Sequence, residues 1–387
     1  MKKTWTKVVV VALSCMMAFV MAACGGGKSA GDGKLHIGVI GPFSGPAALY
    51  GTAVKNGAEL AVNEINAANP DGLQIVLTSE DDVHDAETSV NAYNKLIDGG
   101  MQVLVGPTTS TPATAVAAEA DSGRTFMLTP SGSSPDVTAG HDNVFQLCFS
   151  DPNQGIASAE YMAANFPDAK VGVIYKSDDN YSTGIFNKFK AEWEAQGKAL
   201  VGEPQSFTDG TANDFSAQLN KLKEAGADVV FLPIYYDAAS LILTQANDMG
   251  YAPKFFGCDG MDGILSMDNF DTSLAEGLML LTPFTPYSED ARSKAFTEAY
   301  QEAYGELPIQ FAADSYDCIY AIYDAFQKSG ADVNGSREDI CAALIAQFTG
   351  DFVASGITAE EMKWNANGEV EKTPKVCEIQ DGKYVEK

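Results

Sequence analysis

Residues 103–133, VLVGPTTSTPATAVAAEADSGRTFMLTPSGS, constrain the chain more than any other stretch. Val103, Leu104 and Val105 form a short apolar run that Gly106-Pro107 stops. Ser110 and Thr111 then precede Pro112 and an Ala-rich segment ending at Gly123. A hydroxyl cap followed by proline predicts a helix start there, because proline lacks an N–H that the first turn leaves unbonded anyway. A second strand, 125–128, runs into another hydroxyl-rich turn, Thr129-Pro130-Ser131-Gly132-Ser133. Strand, helix, strand predicts a parallel pair with both hydroxyl-rich loops at carboxyl ends of strands, where open α/β sheets bind ligands. Helix N–H groups beside Ser and Thr hydroxyls suit a carboxylate. The same residue types also serve as plain caps and turns.

The alternation extends over the rest of the chain. A strand at 35–40 leads through Gly41-Pro42-Phe43-Ser44-Gly45-Pro46 into a helix at 50–67, with Val54, Ala58, Ala61 and Ile65 on one face. A strand at 73–77 and a helix through Ala86, Val90, Tyr93 and Ile97 follow. After Asp151-Pro152 the pattern begins again. Strands are predicted at 171–175, 229–234 and 254–256, an extended run at 199–207, and helices at 182–196, 214–225 and 238–249. A strand at 278–281, helices at 290–304, 311–328 and 337–347, and a hairpin-like tail at 375–385 around Asp381-Gly382 complete the reading. A chain of 387 residues is long for one core. The expected fold class is therefore α/β, with two doubly wound, Rossmann-like lobes. Crossings near Asp151, Pro283 and Phe352 give 34–151 plus 283–352 as lobe 1, and 152–282 plus 353–387 as lobe 2.

Residues 1–23 read as an export signal: Lys2, Lys3 and Lys7 precede an apolar run at 8–20 and the small-residue site Met21-Ala22-Ala23-Cys24. That site resembles a bacterial lipobox with Met21 in place of the usual Leu. The resemblance implies diacylglycerol on Cys24, followed by a Gly-rich tether to residue 33. Acyl chains contribute roughly 0.8 kcal/mol per buried CH₂, so several hold a protein firmly on a membrane. The formal charge of −27 becomes −30 without the three leader lysines. Such acidity disfavours nucleic acid as a partner. Cys148, Cys258, Cys318, Cys341 and Cys377 form no C-x-x-C, and an odd number leaves at least one unpaired. His36, His84 and His141 lie far apart. No phosphate-loop, nucleophile-elbow or zinc-protease motif is found, and no catalytic residue, metal or cofactor is expected.

With the lipobox, GPFSGPAALYG at 41–51, VGPTTS at 105–110, LTPSGSS at 128–134 and the loops at Tyr235 and Asp259, the sequence resembles a family. It is similar to substrate-binding proteins of branched-chain amino acid ABC transporters, the Leu/Ile/Val-binding type with the type I periplasmic-binding fold. The resemblance runs from about residue 35 to residue 387. It implies two lobes joined by three hinge crossovers, closing on an amino acid that a membrane permease then receives. It implies a monomer, lipid-anchored on the extracytoplasmic face. Ser110 and Thr111 match donors to the ligand carboxylate, and Ser131 and Ser133 match the next loop, which meets both ligand charges. Tyr50 matches the aromatic of the side-chain pocket, and Tyr181 and Tyr235 match the closing aromatics, with Tyr236 competing for the place of Tyr235. Asp259 matches the acidic partner of the ammonium, where the family often has Glu. Relatives of this fold also take amides, urea or aromatic acids, and a sensor role for such a ligand is the alternative.

Overall fold

Two sheets carry the computed structural model, which describes residues 31–387. The expected export signal, Cys24 and most of the tether lie outside that range. The first sheet holds β1 (Lys34–Gly41), β2 (Gln74–Asp81), β3 (Val103–Val105), β4 (Phe126–Thr129) and β5 (Val144–Gln146). Their order is β2-β1-β3-β4-β5, all parallel. Helices α1 (Ala48–Ala68), α2 (Ala86–Asp98) and α3 (Ser110–Ser122) make the crossovers. All three residues of β3 are fully buried, so it reads as a continuous apolar run rather than an alternating one.

The second sheet begins after α4 (Asp151–Asn165). It contains β6 (Val171–Lys176), β7 (Gln205–Phe207), β8 (Val229–Leu232), β9 (Lys254–Gly257) and β10 (Met279–Thr282), mutually parallel. Helices α5 (Asn180–Ala195), α6 (Ser216–Ala225) and α7 (Tyr236–Asp248) connect them. The expected extended run at 199–207 narrows to β7. An antiparallel hairpin, β11 (Lys375–Gln380) and β12 (Lys383–Glu386), pairs with β10 and completes the order β12-β11-β10-β9-β8-β6-β7. Its turn, Asp381-Gly382, takes φ of 51° and 69°, the left-handed geometry a two-residue hairpin needs.

Helices α8 (Ala291–Tyr304), α9 (Gln310–Ser329) and α10 (Arg337–Phe348) return to the first sheet. Ser315 Oγ on α9 donates to the Val54 carbonyl of α1 at 2.7 Å. A Cβ at Gly57 would sit 2.1 Å from the Ala312 carbonyl oxygen, so the two helices touch backbone to backbone. Phe348 of α10 packs on Phe126 and Phe145 of the sheet. The lobes are therefore interleaved, and three passages join them: the two doubly wound lobes expected from the alternation. Between α10 and β11, short bridges pair Ala354 with Met362 and Trp364 with Val370. Trp364 Nε1 donates to the Gln146 carbonyl at 2.7 Å, and Gln146 N donates to the Gly368 carbonyl at 2.8 Å. Beyond them, Lys372 Nζ lies 3.1 Å from Asp314 Oδ1 of α9, both side chains buried. Asp317, one turn on, accepts from Ile357 N (2.8 Å), Thr358 N (2.8 Å) and Thr358 Oγ1 (2.6 Å).

The expected start of α3 needs correction. Thr109 is the N-cap and Ser110 the first helical residue, two positions before the proline signal. Pro112 then stands third in the helix, where its missing N–H still costs no intrahelical bond. The five described cysteines are all buried and free. Among the described residues no helix is long and apolar enough to cross a membrane.

Candidate functional site

Strand order reverses between β1 and β3 in the first sheet and between β6 and β8 in the second. Helices leave opposite faces at such points, opening a crevice at the carboxyl ends of the strands. The two crevices face each other. Tyr50, Thr108, Thr109, Ser131 and Phe311 of the first lobe meet Tyr181, Tyr235, Asp259 and Gly260 of the second around a cavity of about 10 Å³. That is room for about one water. Behind Tyr235 lies a second chamber of about 250 Å³, reached by His84, Lys176, Asp179 and Asp237.

Aromatic rings and main-chain bonds close the lobes on each other. The buried Tyr50 hydroxyl donates to the Gly260 carbonyl across the cleft and accepts from Tyr236 N at 3.3 Å. Tyr236 OH donates to the Pro46 carbonyl at 2.7 Å. Tyr181 stacks on Tyr235 with centroids 4.9 Å apart, and Tyr50 meets Tyr235 edge-on at 5.4 Å. Gly260 is needed for this approach, because a Cβ there would lie 2.7 Å from the Tyr181 hydroxyl and 2.8 Å from the Tyr235 ring.

Asp259 is the charged group in the cavity wall. Its Oδ1 accepts from Tyr181 OH at 2.7 Å, and its main-chain N donates to Gln154 Oε1 at 3.0 Å. Gln310 Nε2 donates to its carbonyl at 2.7 Å. Burial pushes the Asp259 carboxyl up to about 6, against the pull of the Tyr181 bond. On the opposite wall, Thr109 Oγ1 shares a 2.8 Å hydrogen bond with His84 Nδ1. Burial and then Lys176 push that imidazole down to about 4, so it is neutral at pH 7.

Of the residues singled out in the sequence, Tyr50, Ser131, Tyr181, Tyr235 and Asp259 line the cavity. Ser131 directs its hydroxyl to the Thr108 carbonyl at 2.6 Å. Ser110, Thr111 and Ser133 are outside the wall. Ser110 Oγ accepts from Ser134 N at 3.2 Å, Thr111 is carried onto the first turn of α3, and Ser133 Oγ is buried without a partner among the described residues. Because α3 starts early, Thr108 and Thr109 occupy the loop position instead. Their signal was visible as the two hydroxyl residues directly after the strand and Gly-Pro. Phe311 and Gln154 carried no local signal. Among the described residues no cluster of His, Cys, Asp or Glu could hold a metal.

A family model described as "Periplasmic binding protein" matches residues 34–379. The chain belongs to the periplasmic binding protein family. The Leu/Ile/Val-binding protein homolog 3 of Brucella melitensis is 32% identical over 349 residues, 89% of this chain and 91% of that one. The branched-chain amino acid transporter substrate binding protein LivJ of Streptococcus pneumoniae, solved with isoleucine, superposes with a TM-score of 0.81 at 28% identity, covering 92% of this chain and all (100%) of that one. A solute binding protein of an R. palustris ABC transporter, solved with benzoate, gives a TM-score of 0.80 at 21% identity over 92% of this chain and 95% of that one, a likeness of fold. The motif resemblance thus holds at the level of family. Like its relatives, this periplasmic binding protein is a solute-binding protein and not an enzyme.

Proposed function

We propose that the protein captures a neutral, branched-chain amino acid between its lobes and hands it to the permease of an ABC transporter outside the cytoplasm. The observation that carries this reading is Asp259, a buried carboxylate in the wall of an aromatic-lined interlobe cavity. A zwitterion leaving water needs a charge-assisted partner at each end. Asp259 suits the ammonium, while the hydroxyl-rich loops at 108–111 and 131–133 and the N-terminus of α3 suit the carboxylate. Tyr50, Tyr181, Tyr235 and Phe311 offer apolar surface to the side chain. Each methylene is worth only about 0.8 kcal/mol, so discrimination among Leu, Ile and Val is expected to be small. An amino acid exceeds the 10 Å³ available, so the lobes part about their crossovers to admit it, and Tyr235 has the adjoining chamber to move into. We place the crossovers at about 147–150, 283–290 and 371–374. The last falls later than Phe352, since Gln146 of the first sheet holds residues 364–368.

A thermal-shift screen of the twenty amino acids, urea, small amides and benzoate tests the reading. Ligand at a hundred times its Kd adds about 2.7 kcal/mol, a rise of roughly 5 °C. Leucine, isoleucine or valine should give it. If only the aromatic acids do, the ligand is a carboxylate without an ammonium and the reading fails.

The lipobox leads us to propose further that Cys24 is acylated and tethers the body to the membrane through residues 25–33. Cys24→Ala should then release the protein from the membrane fraction of its host. Wild-type protein already found wholly in the soluble fraction would end that proposal.

A further inference from the structure

One cluster of buried polar atoms has no place in the site described above. Asp151 opens α4 directly after the first passage between lobes, and its side chain is fully buried. Neither carboxylate oxygen has a hydrogen-bonding partner among the described residues. Ser133 Oγ lies beside it without adequate hydrogen-bond geometry, and Gln154 Nε2, one turn further along α4, is also unpartnered. A buried carboxylate left without donors costs several kcal/mol, and buried polar groups in native proteins almost always find a partner. Four such atoms on three side chains mark a place where a polar group belongs.

The surrounding contacts give that place a direction. Gln154 turns its other end, Oε1, to the main-chain N of Asp259, so one side chain spans from the Asp151 helix to the Asp259 loop. Ser133 follows Ser131, which lines the cavity, and its carbonyl accepts from Asp151 N at 2.9 Å. On the far side α5 closes the space, since a Cβ at Gly184 would lie 2.9 Å from Asp151 Oδ2. The charged and titratable groups facing Asp151 are Asp259, Asp179 and Asp136, with Tyr235, Cys148 and Cys258 also within its field. None is basic.

We propose that Asp151, steadied by Ser133 and Gln154, is a second carboxylate partner for the cationic end of the ligand, so that a primary ammonium is held between Asp151 and Asp259. This rests on the amino-acid reading and adds to it. Two carboxylates around one ammonium select against ligands that carry only a carboxylate, and they tie the first passage between lobes to the loop after β9. Burial, with the neighbouring acids, pushes the Asp151 carboxyl well above its ordinary range, so it resists ionisation until a cation pairs with it. The arriving R–NH₃⁺ stabilises the ionised form, and the carboxylic acid releases its proton to solvent. Asp259, pushed up to about 6, is ionised at pH 7.5 and has almost no proton to give.

Titration calorimetry of the full chain with leucine and with its deaminated analogue 4-methylpentanoate tests the inference. Asp151→Asn should weaken leucine at least tenfold while binding 4-methylpentanoate no more weakly than wild type does. A purely structural Asp151 would weaken both ligands alike, and that result overturns the inference, as does unchanged leucine affinity. Wild type alone provides a second measure if the variant does not fold. At pH 7.5, titrations in two buffers of different ionisation enthalpy should show protons released on binding leucine and none on binding 4-methylpentanoate. No proton release overturns the inference and leaves the amino-acid reading intact. A wild type that binds 4-methylpentanoate more tightly than leucine overturns both.

Discussion

Asp259→Asn is expected to weaken leucine binding by about 2–5 kcal/mol, roughly thirty-fold to several thousand-fold. The loss exceeds that of an ordinary hydrogen bond because the ligand ammonium would be enclosed with one counter-charge removed. Tyr181 OH, which now donates to Asp259 Oδ1, could still donate to the new amide oxygen, so the wall itself should keep its shape. Ser110→Ala should cost less than tenfold, since that hydroxyl accepts from Ser134 N and lies outside the cavity wall. Binding should also depend on pH. The Asp259 carboxyl, raised to about 6, must be ionised to pair with an ammonium. Affinity for leucine should therefore fall as pH drops through 6, and affinity for 4-methylpentanoate should not. Calorimetry on both variants from pH 5 to pH 8 checks this. Leucine bound by Asp259→Asn as tightly as by wild type would remove Asp259 from the site.

Asp317→Ala is expected to destabilise the fold by about 4 kcal/mol without touching the cavity. The carboxylate holds Ile357 N, Thr358 N and Thr358 Oγ1, all at 2.8 Å or less. Stranding two main-chain N–H groups costs about 1–3 kcal/mol each when water cannot reach them. The chain fits too closely for easy repair: a Cβ at Gly356 would lie 2.3 Å from the Asp317 carboxylate. Asp317→Asn should recover part of the loss, because its amide oxygen keeps one or two of the three acceptor roles. Urea unfolding monitored by tryptophan fluorescence measures the difference. A loss under about 1 kcal/mol would mean that residues 355–358 rest on other contacts.

The fold was legible because parallel strands buried on both faces read as uninterrupted apolar runs, and β3 at Val103–Val105 is the plainest case. Strand ends and helix starts then located the ligand loops without any tertiary information. What failed was local register. Pro112 suggested a helix start two residues late, since proline is tolerated at any of the first positions whose N–H groups are unbonded, and Thr108 and Thr109 were passed over. The choice between Tyr235 and Tyr236 turned on which ring faces the cleft. The structure gives Tyr235 to the cavity and sends the Tyr236 hydroxyl to Pro46. Gln154, Asp151 and Phe311 were invisible for another reason. Their relevance comes from contacts with Asp259, Ser133 and Tyr50 far away in sequence, and no local pattern encodes such a meeting.

The interleaving of the lobes bears on how the chain reaches its place of work. Val54 and Ser315 are bonded across 261 residues, so the side of α1 that meets α9 has no partner until α9 has been synthesised. Contacts of such separation are slow to form, because the loop must close before any of them stabilises it. The N-terminal lobe therefore cannot finish its core while the first half of the chain emerges from the ribosome. For a protein whose first residues read as an export signal, that delay keeps the chain threadable. The same connectivity that brings both lobes to one cleft postpones completion of the first lobe until the C-terminal half has been made.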